Sequence, residues 1–263
     1  MDHQMLEHRV APHQPELSMP VRPAMGSLRQ LLREQTHEVH TELEQATILN
    51  QRIAERPRTE IKHINPPDRE LTLDLQRNEY RSLYVSFLLV AHALERGFEA
   101  RIEDEPRAAT LLRGIGIQLE EPRATTLIAR DLNELGVTAS LRTTATLPEA
   151  VTLHELIGLQ YVRIGSRLGG TMISKIVELN LGSEVPRHFL RSHGVGVKQA
   201  VEKTFAAFDN VERSASGDAD AIRTARATFQ AIKDWQVGIE QALCLPSKPV
   251  PTVAARLWGW LTH

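Results

Sequence analysis

Apolar residues return at helical intervals through most of the chain. Behind Ser27, Leu28, Leu32, Val39 and Leu43 fall on one stripe, and Ser27 with Gln30 has the S-x-x-Q form of a capping box. Residues 75–102 predict a long helix, amphipathic at first and then apolar on every side, ended before Pro106. A helix over 124–135 is expected to stop at Gly136. Residues 149–181 read as a second long helix with glycines inside it, closing near Gly182 and Pro186. Residues 198–211 and 219–243 supply two more. Residues 52–69, with Pro57, Pro66 and Pro67, read as a connection, and 140–148 as a loop. Residues 1–26 read as a mobile tail with four prolines, and 246–263 as a C-terminal tail carrying Trp258 and Trp260.

Aromatics are only 5% of the 263 residues, and alternating Val-Thr-Ile runs are few, which argues against a sheet. The expected fold is therefore all-α, a single domain over 27–245. The formal net charge of −2 gives no overall bias toward nucleic acid or an anionic membrane. The lone cysteine, Cys244, excludes an intramolecular disulfide and a Cys-based zinc cluster. A reducing, cytoplasmic setting is the expectation. No basic start followed by an apolar run suggests a signal peptide. The longest apolar stretch, 83–94, is broken by Ser86 and His92 and is too short to span a bilayer.

Two segments carry candidate chemistry. In the first helix, His40 and Glu44 are four residues apart and share a face. Glu44 can accept from one imidazole nitrogen, set the tautomer, and leave the other nitrogen for a metal. Arg33 lies about 10.5 Å before His40 along that face and can meet a negative group at the edge of a large flat ligand. The plain alternative is a surface His–Glu pair. A further alternative is a di-iron site, since Glu34–His37 and Glu60–His63 both have the E-x-x-H spacing of carboxylate bundles. In the second segment, Gly165, Gly169 and Gly170 interrupt a helix, each at a cost of about 1 kcal/mol relative to Ala. Such a stretch either lets a flat ligand approach the backbone or lets another helix pack closely.

Taken together, L-R-E-x-T-x-E-x-H-T-E-L-E over 32–44 and Y-V-R-I-G-S-R-L-G-G-T-M-I over 161–173 resemble the haem oxygenases, most of all the bacterial, soluble, biliverdin-producing branch. The resemblance extends over roughly 27–245. It implies haem sandwiched between a proximal and a kinked distal helix, serving as both cofactor and substrate. With O₂ and electrons the products would be biliverdin, CO and ferrous iron. The donor would be a ferredoxin, a flavodoxin or a flavin reductase. By the same resemblance His40 is the proximal ligand and Glu44 orients it. Gly165, Ser166, Gly169 and Gly170 form the distal segment. Arg33 contacts a propionate, Lys198 is a second candidate for that task, and Tyr161 lines the pocket. Another outcome in the same fold is a storage or sensor protein that binds haem without turnover.

The chain departs from the family in places. Ser166 stands where mammalian members have Asp, Ile164 replaces a polar residue, and the stretch over 45–80 is longer. No counterpart of the mammalian membrane-anchoring tail is expected. Arg167 is expected to face solvent or the electron donor. Of the other histidines, His92 reads as a core or pocket residue and His154 as structural. His188 and His193 read as solvated groups flanking a loop.

Overall fold

The computed structural model describes residues 26–46, 66–119, 123–137, 144–192 and 197–242, and the regular elements among them are all helical. We number the α-helices α1 Leu28–Ala46, α2 Pro66–Phe98, α3 Pro106–Gly114, α4 Ala124–Glu134, α5 Leu153–Leu181, α6 His188–Ser192, α7 Val197–Phe208 and α8 Ala215–Ala242. A π-helical turn, Glu99–Glu103, continues α2 and is closed by the Asp104 N–H bonding to the Glu99 carbonyl at 2.8 Å. Residues 1–25 of the N-terminal tail, the C-terminal tail and residues 52–65 of the expected connection lie outside the described residues.

Local chemistry explains most of the boundaries. The Ser27 hydroxyl accepts from the Gln30 amide at 3.1 Å, and α1 buries Leu28, Leu32, Thr36, Val39 and Leu43. α4 ends in a Schellman motif. Gly136 sits at φ +73°, its amide bonds to the Asn133 carbonyl, and the Val137 amide bonds to that of Leu132, both at 2.9 Å. α5 opens on a full capping box between Thr152 and Glu155, a turn later than the apolar pattern suggests. The carboxylate of Asp131 on α4 accepts the first two amides of α6, from His188 at 2.7 Å and Phe189 at 3.0 Å.

Three boundaries correct the sequence reading. α2 starts at Pro66, inside the expected connection, because proline at a first helical turn sacrifices no intrahelical hydrogen bond. α3 was not expected. It is nine residues long, starts on Pro106 with the Glu105 carboxylate accepting from the Arg107 amide, and buries only Ala108, Ala109 and Leu112. α8 starts at Ala215 rather than 219, because the Ser214 hydroxyl accepts the Gly217 amide at 3.0 Å.

α8 lies against both α1 and α5, while α2 packs on α4, α5 and α8. The α5–α8 crossing is made close by Gly158, whose added Cβ would collide with the Ala221 carbonyl of α8. The buried apolar residues form two clusters. One joins α1, the C-terminal end of α2 with its π-helical turn, α3, α5, α7 and α8 around Leu32, Phe98, Ile157, Phe208 and Ala225. The other joins α2, α4, α6 and the end of α5 around Leu88, Ile128, Val177 and Leu190.

Candidate functional site

A cavity of about 300 Å³ opens where these two clusters meet, bounded chiefly by α1, α2, α5 and α8. Its wall is mainly apolar, with Phe87, Val90, Leu94, Ile173, Phe205 and Ile232 among the lining residues. That composition suits a flat apolar ligand with few polar handles.

On the α1 side stands His40. Its Nδ1 lies 3.5 Å from Glu44 Oε1, and its ring meets Phe229 of α8 edge to face at 5.2 Å. Burial, helped by the neighbouring His37, pushes His40 down to about 4, so the imidazole is neutral at pH 7. Burial pushes Glu44 up to about 7. With Glu44 ionised and accepting from Nδ1–H, Nε2 would carry the lone pair that a metal requires.

On the α5 side Gly165, Ser166, Gly169 and Gly170 all line the cavity. A Cβ added at Gly165 or Gly169 would meet nothing within 4 Å. These two glycines therefore clear space, and close helix packing belongs to Gly158 instead. α5 remains α-helical through all of them, with the Ser166 and Thr171 hydroxyls bonded back to the carbonyls of Arg163 and Leu168 at 2.7 and 2.8 Å. Ser166 uses its proton in that bond and offers its lone pairs to a ligand or water. Tyr161 also lines the cavity, its ring 5.7 Å from Phe205. Burial pushes its phenol up, against a hydrogen bond with Thr36 and the cations Arg33 and Arg29.

Arg33 lines the cavity with an exposed side chain. Arg29, which sequence reasoning missed, lines it too and lies over the Phe205 ring at 4.6 Å. Its signal was its position, one helical turn before Arg33. Lys198 sits on α7 with an exposed side chain and is not among the lining residues. Glu95 and Gln236 were also missed and do line the cavity.

Arg167 and His188 depart from expectation, whereas His92 and His154 do not. Arg167 does not face solvent: it is 4% exposed and interacts with Glu95 and Glu103. His92 is buried outside the lining, and burial together with Arg96 pushes it down. His154 Nε2 lies 3.2 Å from the Glu212 carbonyl, a structural contact. His188 begins α6 and lies 3.1 Å from the Glu134 carboxylate rather than standing solvated beside a loop. His193 and the Glu60–His63 pair lie outside the described residues. Among the described residues, no group of three or more His, Cys, Asp or Glu could hold a metal ion.

A neutral histidine with a carboxylate behind it, an apolar slot, a side-chain-free helix face and two arginines together fit an iron porphyrin with acidic substituents. Residues 26–236 match a protein family, Heme oxygenase, and the chain belongs to that family. No curated protein matches it. No helix among the described residues is long and apolar enough to cross a membrane.

Proposed function

We propose that this chain is a haem oxygenase of the bacterial, biliverdin-producing kind, acting in the cytoplasm through a domain spanning 27–245. It would open haem with O₂ and externally supplied electrons to give biliverdin, CO and ferrous iron. The donor would be a ferredoxin, a flavodoxin or a flavin reductase. The observation that carries this reading is the shared cavity: neutral His40, backed by Glu44, opens on the same slot as the cleared faces of Gly165 and Gly169.

The bound haem would supply the redox-active iron and, in its own ring, the bond to be broken. The chain's part is binding, orientation and exclusion. His40 would ligate through Nε2, with Glu44 fixing the ring through Nδ1 and raising its basicity. Arg29 and Arg33 would hold the acidic edge and thereby fix the rotation of the ring, which decides the position that is cleaved. Gly165, Gly169 and Gly170 would bring the α5 backbone over the opposite face, leaving room for O₂ and crowding it toward the ring edge. Ser166 would accept a hydrogen bond from water there. Tyr161, tied to Thr36, would keep the α1 and α5 walls in register.

A single-turnover experiment tests this. Hemin is added to wild type and to His40→Ala, then reductant and O₂, while the visible spectrum and released CO are followed. Wild type is expected to show a His-ligated Soret band that decays to a bilin band with CO, and the variant to lose the axial ligation. Stable haem with no ring opening would make the protein a carrier or sensor. Failure to bind haem would overturn the reading.

A further inference from the structure

Among the side chains that line the cavity, hydrogen-bond donors gather at one end. Arg29 and Arg33 lie there with Tyr161, which is tied to Thr36 one turn beyond Arg33. Farther along, His40 and Glu44 face each other at 3.5 Å. On the α5 wall Ser166 spends its proton on the Arg163 carbonyl, and Glu95 accepts from Arg163 Nε at 2.9 Å. One more donor lines the cavity, the carboxamide of Gln236 on α8, in a residue only 9% exposed.

Two cross-links place Gln236 along the slot. The Arg226 guanidinium donates to the Gln35 carbonyl at 2.8 Å, and Lys233 Nζ lies 2.9 Å from Glu42 Oε2. The advance from 226 to 233 on α8 equals that from 35 to 42 on α1, so the two helices run in the same direction and Gln236 is level with residue 45. Arg33 lies about 18 Å back along the axis at 1.5 Å per residue, with His40 between. Phe229, Ile232 and Gln236 form one stripe on α8, and Phe229 is the residue that meets the His40 ring. Any hydrocarbon side chain at 236 would continue that apolar stripe. Instead Gln236 Nε2 donates to Glu240 Oε1 at 3.3 Å, beneath a surface that leaves Glu240 3% exposed. A carboxylate accepts, so the amide nitrogen must face it, and the second N–H of that nitrogen has no partner among the described residues. An unpaired donor in an apolar wall is costly unless a ligand meets it.

We propose that Gln236 is a product-binding residue, whose second N–H donates to oxygen on the tetrapyrrole edge remote from the acidic groups. The inference rests on the haem reading above. In haem that edge carries hydrocarbon substituents and offers the amide no acceptor. Opening the ring there puts two lactam oxygens on the same edge, with the acidic groups left on the two central rings. The arginine end of the slot then holds what substrate and product share, and the Gln236 end senses what differs between them.

The test is a pair of binding titrations, followed by absorbance and protein fluorescence. Wild type, Gln236→Leu and Gln236→Met are titrated with hemin and, separately, with biliverdin whose acidic groups are on its central rings. The ratio of the biliverdin Kd to the hemin Kd should rise about tenfold in both variants, the worth of one hydrogen bond. Wild type gives a second readout that needs no variant to fold. In proton–nitrogen correlation spectra a Gln236 amide proton should move downfield with biliverdin and not with gallium protoporphyrin, a diamagnetic stand-in for haem. An unchanged ratio, equal losses for both tetrapyrroles, or an amide proton that biliverdin does not move would overturn the proposal. A protein that takes up no hemin would instead overturn the reading beneath it.

Discussion

Gly165 and Gly169 show how a single missing Cβ serves function at the expense of stability. In a helix interior each is worth about 1 kcal/mol less than Ala, and neither is needed to avoid a clash. Gly165→Ala should therefore raise the urea midpoint, whereas Gly158→Ala should lower it by driving a methyl group into the Ala221 carbonyl. Gly165→Leu and Gly169→Leu should still bind hemin through His40 yet slow bilin formation about tenfold or more, because the side chain occupies the space the reacting oxygen needs. Undiminished turnover in both leucine variants would show that the cleared face is not where the reaction occurs. At this scale the sequence exposed the residues whose spacing is local: His40 with Glu44, and the three glycines. It hid those whose meaning depends on a partner helix. Glu95 and Arg163 are 68 residues apart, so neither carries a local sign of the other. Arg167 reads as a surface cation until α2 brings carboxylates to it.

The helix that carries the glycines needs firm ends, because a frayed start would shift the wall. Thr152 and Glu155 supply that firmness, with Glu155 Oε2 accepting from the amides of Val151 and Thr152 at 3.0 Å. Thr152→Ala should lower the unfolding free energy by about 1 kcal/mol. The backbone bonds from Thr152 and Val151 hold Glu155 below the ordinary 4.5. A depressed carboxyl contributes stability that is complete above its unfolded value and is lost as pH falls through the folded one. Urea unfolding should thus show a deficit for Glu155→Gln at about pH 7 that narrows at about pH 4. A deficit constant over that range would assign the effect to shape rather than charge. The same contrast governs what was legible among elements. Strong stripes and caps announced α1, α4, α5 and α7. α3 was lost because three small apolar contacts in nine residues make no readable stripe. The start of α2 was lost because Pro66–Pro67 looks like an interruption unless it falls on a first turn.

The placement of the cavity carries consequences for the whole molecule. One apolar cluster contributes Leu43, Phe205 and Phe229 to its wall, and the other contributes Ala91 and Phe189. An all-α chain could be read from periodicity, but not the division of its interior into two clusters, which depends on how distant helices stack. A flat ligand lying between the clusters would contact both and substitute for the contacts they do not make with each other. Saturating hemin at about a hundred times its dissociation constant adds about 2.7 kcal/mol, enough to raise the melting temperature of a chain this size by about 5 to 10 °C. The distribution of that gain is the more telling quantity. Hydrogen exchange should show the amides of α4 and α6 opening at a different free energy from those of α1 and α8 without haem, and at one common free energy with it. If hemin protects α1 and α8 while α4 and α6 exchange as before, the ligand sits on one cluster only, and the glycine wall is not closing on the face opposite His40.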